Sequence, residues 1–319
     1  MKVTTSCYGR FHIFDQASQL QRNGILHKLI TSYPKYYVQR WGIPNQKVTS
    51  LIANELYGRV AAKLSRRVNT SIREKIIESV HHQFSSRLAN HMPLDSDIFI
   101  GTSSYCLEAI QHAKKLGIKC IVDHGSLHQY AERQLLIQEA DIWGVKPAVI
   151  LPPIWLIEKE NLEFEIADRV MVLSQIAKQS MIDNNVPSHK IFVNNCGVDV
   201  AKFYPGCKND SVFRIIYCGA ISLRKGVLYL LKAFSELKLP NSELWLIGSN
   251  SGSSSIKHIF NKYLSSNIIY RGTCPHNQLR ELFSQGSIFV LPSIADGFGM
   301  VVPQAMACGL PAIITANVG

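Results

Sequence analysis

From Phe213 onward the chain alternates short apolar runs with longer stretches of helical periodicity. Phe213-Arg214-Ile215-Ile216-Tyr217-Cys218 is rich in β-branched and aromatic residues and stops at Gly219. Residues 227–237 then place Leu228, Leu230, Leu231, Phe234 and Leu237 at the spacing of a helix with one buried face. The alternation continues with a strand at 244–247, a helix at 256–264, a strand at 267–270, a helix at 278–283, a strand at 287–291, a helix at 299–308 and a strand at 311–315. Strands separated by helical stretches predict a parallel, doubly wound α/β sheet, with right-handed crossovers placing helices on both faces. Ligands of such a sheet bind beyond the C-terminal ends of its strands.

The first half carries a weaker form of the same pattern. It predicts strands at 2–6, 98–101, 119–123, 169–173 and 191–194, and helices at 17–23, 106–116 and 175–184. Residues 54–89 read as one or two long basic helices. At roughly 100–200 residues per domain, 319 residues make two domains. The stretch 199–209, with Pro205 and Gly206, has the composition of a linker. The expected division is an N-terminal domain over 1–204 and a C-terminal domain over 205–319.

A formal net charge of +11 favours acidic partners: a nucleoside diphosphate, anionic lipid headgroups or nucleic acid. The chain has no zinc-finger spacing, no aromatic-plus-basic RNA-binding signature and no Arg-rich arm, so no nucleic-acid partner is expected. The eight cysteines form no C-x-x-C pair and several sit in apolar runs, which predicts buried thiols in a reducing compartment. The N-terminus lacks the apolar core of a signal peptide, and the most apolar segment, 148–157, is too short to span a bilayer. The expected location is cytoplasmic.

Two constellations lie where ligands bind. In Gly219-Ala220-Ile221-Ser222-Leu223-Arg224-Lys225-Gly226 a strand enters a polar loop and then a helix whose N-terminus offers free N–H groups. Arg224 and Lys225 there suit a diphosphate leaving group, whose negative charge grows as its bond breaks; a solvated basic turn is the alternative. In Pro292-Ser293-Ile294-Ala295-Asp296-Gly297-Phe298-Gly299-Met300 a glycine-rich loop carries one carboxylate to a strand end. Gly297 and Gly299 let backbone approach a ligand. Asp296 can accept hydrogen bonds from sugar hydroxyls, and Gln304, eight residues on, can reach a ribose edge. The alternative makes Asp296 an N-cap and Gln304 a surface residue.

The run Pro292-Ser293-x-x-Asp296-Gly297-Phe298-Gly299 followed by Ala305-Met306-Ala307-Cys308-Gly309-x-Pro311 resembles the signature of the group 1 (family 4) retaining glycosyltransferases. The Gly219 to Gly226 run resembles the phosphate-binding loop of that family, and the resemblance extends well over about 167–319. It implies a GT-B fold, with two Rossmann-like doubly wound domains facing across a cleft. It also implies transfer of a sugar from a nucleoside-diphosphate sugar, with retention, to a polysaccharide or lipid-linked glycan acceptor. The family carries two glutamates with seven residues between them, contacting donor sugar and ribose; here Asp296 and Gln304 occupy those positions. Asp is one methylene shorter, and Gln keeps the acceptor oxygen without the charge.

Further site residues follow from the resemblance. His124, in Asp123-His124-Gly125-Ser126-Leu127-His128 after a strand, takes the place of a family histidine near the reacting sugar. Gly9 and Arg10, in Tyr8-Gly9-Arg10-Phe11-His12 after the first strand, take the place of a loop touching donor phosphates or acceptor. Expected catalytic residues are therefore His124, Asp296, Arg224 and Lys225. Expected donor contacts are Gly9, Arg10, Gly219, Ser293, Gly297, Phe298, Gly299 and Gln304. None of these motifs carries a D-x-D pair of the kind that holds a metal, so neither a metal nor another cofactor is expected. The basic amphipathic stretch near 57–87 fits a peripheral contact with an anionic membrane at its inner face, or else a solvated helix face. Relatives continue past the fifth strand of the second domain, which implies that this domain is incomplete and the chain truncated. A truncated, non-catalytic nucleotide-sugar-binding protein of the same fold is the alternative function.

Overall fold

The computed structural model describes residues 1–65, 67–146, 151–250 and 254–319. Arg66 of the basic stretch and residues 148–150 of the apolar segment lie outside the described residues. In chain order the first run of elements is β1 (Val3–Cys7), α1 (Ile13–Arg22), β2 (Leu26–Thr31), α2 (Lys35–Val38), β3 (Val48–Ser50), α3 (Ile52–Ser65), α4 (Thr70–Asn90), β4 (Ile98–Thr102) and α5 (Leu107–Lys115). It continues with β5 (Lys119–His124), α6 (Gln129–Ile142), α7 (Ile154–Ile166), β6 (Arg169–Val172), α8 (Gln175–Ile182) and β7 (Ile191–Val193). The second run is β8 (Phe213–Cys218), α9 (Val227–Leu237), β9 (Ser242–Ile247), α10 (Ser254–Tyr263), β10 (Ile268–Gly272), α11 (Leu279–Ser284), β11 (Ile288–Leu291), α12 (Val301–Ala307) and β12 (Ala312–Ile314).

Two parallel sheets result, as the alternation of strands and helices predicts. Their strand orders are β3-β2-β1-β4-β5-β6-β7 and β10-β9-β8-β11-β12. In each sheet the winding reverses once, between β1 and β4 and between β8 and β11, and these switch points are where such folds open a crevice for ligands. The central strands are covered on both faces. Every residue of β1 is buried, as are Ile215, Ile216, Tyr217 and Cys218 of β8, so these strands show no polar alternation.

Local chemistry sets the element ends. Helix α9 buries Val227, Leu228, Leu230, Leu231 and Phe234 on one side; each such Leu contributes roughly 1.5–3 kcal/mol when fully buried. It stops at Lys238, which takes the left-handed conformation two residues ahead of Pro240. The first half holds strands the sequence does not announce. In β2, Leu26, Leu29, Ile30 and Thr31 are buried, but His27 and Lys28 break the apolar run. Strand β3 has only three residues.

The chain divides into two compact units that do not change over once near 204/205. The first comprises Met1–Gly125, Pro153–Val172 and Asn185–Val193; the second comprises Ser126–Pro152, Leu173–Asn184 and Asn194–Gly319. The early segment joins the second unit because its apolar residues are buried there. Ala140 of α6 and Val145 share one core with Leu223, Val227 and Leu231, and the Tyr229 hydroxyl donates to Glu139 at 2.8 Å.

Candidate functional site

In the second unit, the chain leaves β8 through Gly219 and Ala220, whose carbonyl accepts a bond from the Tyr217 hydroxyl at 2.7 Å. Buried Leu223 anchors a single 3-10 turn over Leu223–Lys225. Gly226 then adopts a left-handed conformation, φ 62°, and α9 begins. The conformation alone favours glycine. A Cβ at Gly226 would also lie 1.8 Å from the carbonyl oxygen of Pro292.

That closeness joins the two loops picked out in the sequence. The backbone N–H of Ile294 donates to the Arg224 carbonyl at 2.8 Å. The Arg224 guanidinium donates to the Ala295 carbonyl at 2.9 Å. The Lys225 ammonium forms an ion pair with the Asp296 carboxylate. Ser293, fully buried, donates from Oγ to Asp296 Oδ2 at 3.4 Å, and the Gly299 N–H donates to Oδ1 at 3.3 Å. Gly299 turns with φ 63°, and a Cβ there would meet Val318 at 2.8 Å. Ser174, after β6, donates to the Gly297 carbonyl at 2.7 Å. Arg224, Lys225, Ser293, Asp296, Gly297 and Gly299 are thus gathered at the switch between β8 and β11. Phe298 is half-buried beside them. Gln304 is buried in α12, with its amide 3.3 Å from the His276 ring.

The cations do not stand alone. Burial pushes the Lys225 ammonium below its ordinary range, and Asp296 opposes that shift. Arg224 Nε lies 3.8 Å from Glu132 Oε1 on α6, and Glu132 is fixed by a 2.9 Å bond from Ser126. A diphosphate entering here would compete with Asp296 and Glu132 for the same two cations. Both cations bordering one strand end can stabilise a developing phosphate charge. Glu132 has no signal in the sequence, because it comes from a helix 92 residues before Arg224.

The other expected site residues belong to the first unit. Gly9 follows β1 and donates its N–H to Ser32 Oγ at 2.8 Å. Arg10 is exposed, its guanidinium 5.4 Å from the centre of the Trp41 ring. His124 ends β5 and is 1% exposed; its Nδ1 lies 2.9 Å from Ser103 Oγ and its ring packs edge-on against Phe164. The histidine with a solvent-accessible edge is His12, at the start of α1. Its Nε2 sits 2.8 Å from a carboxylate oxygen of Asp123, which is fully buried at the end of β5. A buried carboxylate of this kind fixes an imidazole's orientation and tautomer. Both residues stand in the sequence motifs around His124 and Gly9, but nothing there shows that they meet.

Residues 206–319 match the family model of glycosyl transferases group 1. A phosphatidylinositol N-acetylglucosaminyltransferase subunit of Arabidopsis thaliana is 23% identical over 221 residues, covering 67% of this chain and 45% of that protein. D-inositol 3-phosphate glycosyltransferase of Mycolicibacterium smegmatis is 26% identical over 184 residues, covering 53% of this chain and 42% of its own length. These alignments span less than half of either relative. Among solved structures, sucrose-phosphate synthase from Thermosynechococcus elongatus aligns over 100% of this chain and 82% of its own, with a TM-score of 0.64 and 17% identity. Anabaena HepE in complex with UDP-glucose aligns over 100% of this chain and 81% of its own, with a TM-score of 0.62 and 14% identity. The chain has the GT-B fold of two parallel-sheet, Rossmann-like domains, and residues 206–319 are similar to the group 1 glycosyl transferases.

Proposed function

We propose that the chain is a retaining, family 4-like glycosyltransferase that moves a sugar from a nucleoside-diphosphate sugar to a polyol, polysaccharide or lipid-linked glycan acceptor. The observation that carries this reading is the Lys225–Asp296 pair, with Arg224 beside it, at the switch point of a domain that matches the group 1 glycosyl transferases. Arg224 and Lys225 take the diphosphate, exchanging Glu132 and Asp296 for phosphate oxygens. Asp296, released from Lys225, accepts from donor-sugar hydroxyls, and the backbone of Gly219, Ser293 and 297–299 closes around the sugar. Gln304 binds the ribose edge. Gly9, Arg10 and His124 serve the acceptor side and the sugar.

The bond that breaks joins the anomeric carbon to a phosphate oxygen. On a front-face route the departing phosphate itself takes the acceptor's proton, so the chain's own work is positioning and charge stabilisation. The UDP-glucose held by a structural neighbour supports a uridine donor, and the inositol-based acceptors named for the relatives support a polyol or lipid acceptor. We place the protein in the cytoplasm, at the inner face of the membrane.

A thermal-shift screen of nucleoside diphosphates and their sugars tests donor binding; a ligand at about 100 times its Kd adds roughly 2.7 kcal/mol. Transfer assays with the selected donor, followed by anomeric assignment of the product by NMR, test the reaction. Stabilisation without turnover supports the non-catalytic binding reading. Neither stabilisation nor turnover sinks both.

A further inference from the structure

Helix α3 packs with its polar side inward. Its buried residues are Asn54, Ala61 and Ser65. Glu55 also turns inward, where it accepts a 2.8 Å bond from Ser32 Oγ. Gly58 lies against Tyr8, so closely that a Cβ would fall 1.8 Å from the phenol oxygen. Ile52, Leu56, Val60 and Leu64 face the other way. They recur every fourth residue, along one stripe of the helix, and are 47%, 61%, 57% and 52% exposed. The stripe runs on through Val68 and Ile72, also exposed, at the turn into α4. Amphipathic helices of a folded domain bury such a stripe.

The exposed charges beside the stripe are predominantly cationic. Arg59 and Lys63 are exposed on α3, as are Arg67, Arg73 and Lys75 just beyond it. Glu55 is the one acidic residue of α3; it is bonded by Ser32 on its inner side and accepts from Arg59 Nε at 3.1 Å, which leaves Lys63 without an acidic neighbour on the helix. Glu74 stands between Arg73 and Lys75, and Glu78 follows one turn later, so the strip without an outward acidic residue runs along α3 and ends at Arg73. Among the described residues no helix is long and apolar enough to cross a membrane.

We infer that the outward face of α3, with the first turn of α4, is a docking surface for an anionic lipid bilayer. Ile52, Leu56, Val60 and Leu64 enter the boundary between headgroups and acyl chains while Arg59, Lys63 and Arg67 pair with lipid phosphates. Charge selects this occupant. A second copy of the chain, docked through the same face, would bring its own cations against Arg59, Lys63 and Arg67. The inference deepens the membrane placement proposed above but does not rest on the transferase chemistry, because binding to vesicles requires neither donor nor acceptor.

The test is flotation of the full chain with vesicles of phosphatidylcholine, alone or mixed with phosphatidylglycerol. The unmodified protein floats with the mixed vesicles, and added salt weakens the association. Leu56→Glu/Val60→Glu lowers the bound fraction about tenfold or more, and Arg59→Glu/Lys63→Glu abolishes the preference for anionic lipid. Leu94→Glu, at an exposed leucine outside this face, leaves binding unchanged. Leu56→Trp gives an independent readout that does not depend on a disruptive charge, through a blue shift of tryptophan emission on mixing with anionic vesicles. Equal flotation of the Leu56→Glu/Val60→Glu protein overturns the inference. So does an absence of vesicle binding, with or without a concentration-dependent dimer that this variant dissolves.

Discussion

Gly226 holds its backbone against Pro292 so closely that a methyl group at its Cα would fall 1.8 Å from the Pro292 carbonyl oxygen. This contact lets Arg224 and Ile294 hydrogen-bond and lets Lys225 reach Asp296. Alanine at 226 would meet two obstacles, the left-handed φ of 62° and the clash with backbone. The first costs roughly 1–2 kcal/mol, and the second forces the two loops apart. Gly226→Ala is therefore expected to destabilise the protein by about 2–4 kcal/mol in denaturant unfolding, and to raise the Kd for a nucleoside diphosphate. Unchanged stability would show that the loops yield easily.

Lys225 and Asp296 are each largely buried, at 16% and 12% side-chain exposure. Removing either leaves a charge without its partner, so Lys225→Met and Asp296→Asn should each cost about 2–3 kcal/mol of stability. The double variant should cost clearly less than the sum, because neither charge remains to be left behind. Turnover separates the roles. On the proposed transferase reading, loss of Lys225 removes charge stabilisation from the leaving diphosphate and should lower kcat about 10²–10³-fold. A double-mutant cycle in unfolding, run beside steady-state kinetics, measures both effects.

How much of this was readable in advance follows from what each strand buries. β8, β9 and β11 are apolar on both faces, so their sequences stand out from the helices between them, and the loops after β8 and β11 carry Arg224, Lys225 and Asp296 at recognisable spacings. β2 is hidden by His27 and Lys28, partly exposed positions within an otherwise buried strand. Glu132 and the His12–Asp123 pair are hidden for a different reason. Each is a contact between residues about a hundred positions apart, made by the parallel winding of the sheets, and no local periodicity encodes it. The basic amphipathic character of α3 is legible because its periodicity is local, and the structure leaves Leu56, Val60 and Leu64 of its apolar stripe exposed.

Asp123 and His12 should behave as one unit. Asp123 is buried and places both carboxylate oxygens within 2.9 Å of His12 Nε2. Asp123→Asn presents an amide to that nitrogen and should cost about 1–3 kcal/mol through the unmade bond. His12→Ala leaves the carboxylate buried and should cost a similar amount. The expected coupling between them, from equilibrium unfolding of both single variants and the double, is at least about 1 kcal/mol. Strict additivity would show that the contact contributes nothing.

The dependence of stability on pH is set in part by two buried groups in the first unit that pull in opposite directions. Burial holds the His81 imidazole down at about 4, against an ordinary 6.5, even though the Ser104 carbonyl accepts a bond from its Nδ1 at 3.0 Å. Between pH 4 and 6.5 the unfolded chain therefore binds a proton that the native chain refuses, so stability rises with pH across that window, by roughly 3 kcal/mol in all. Glu163 is the reverse case. Burial, and then the neighbouring Glu160 carboxylate, push it up to about 8 from an ordinary 4.5, while the N–H groups of Cys106 and Ser104 oppose the shift. Here the native chain holds a proton that the unfolded chain has lost, so the contribution is complete below pH 4.5 and disappears as pH rises through about 8. The two slopes oppose each other between 4.5 and 6.5, and above 6.5 Glu163 acts without His81. Urea unfolding at a series of pH values should show this decline above 6.5 in the unmodified protein. It should be flattened in Glu163→Gln, whatever that variant's own cost in stability. His81→Phe keeps an aromatic ring against Tyr105, on which His81 stacks at 3.9 Å, and should flatten only the rise below 6.5. Identical slopes in all three proteins would show that neither buried group controls the profile.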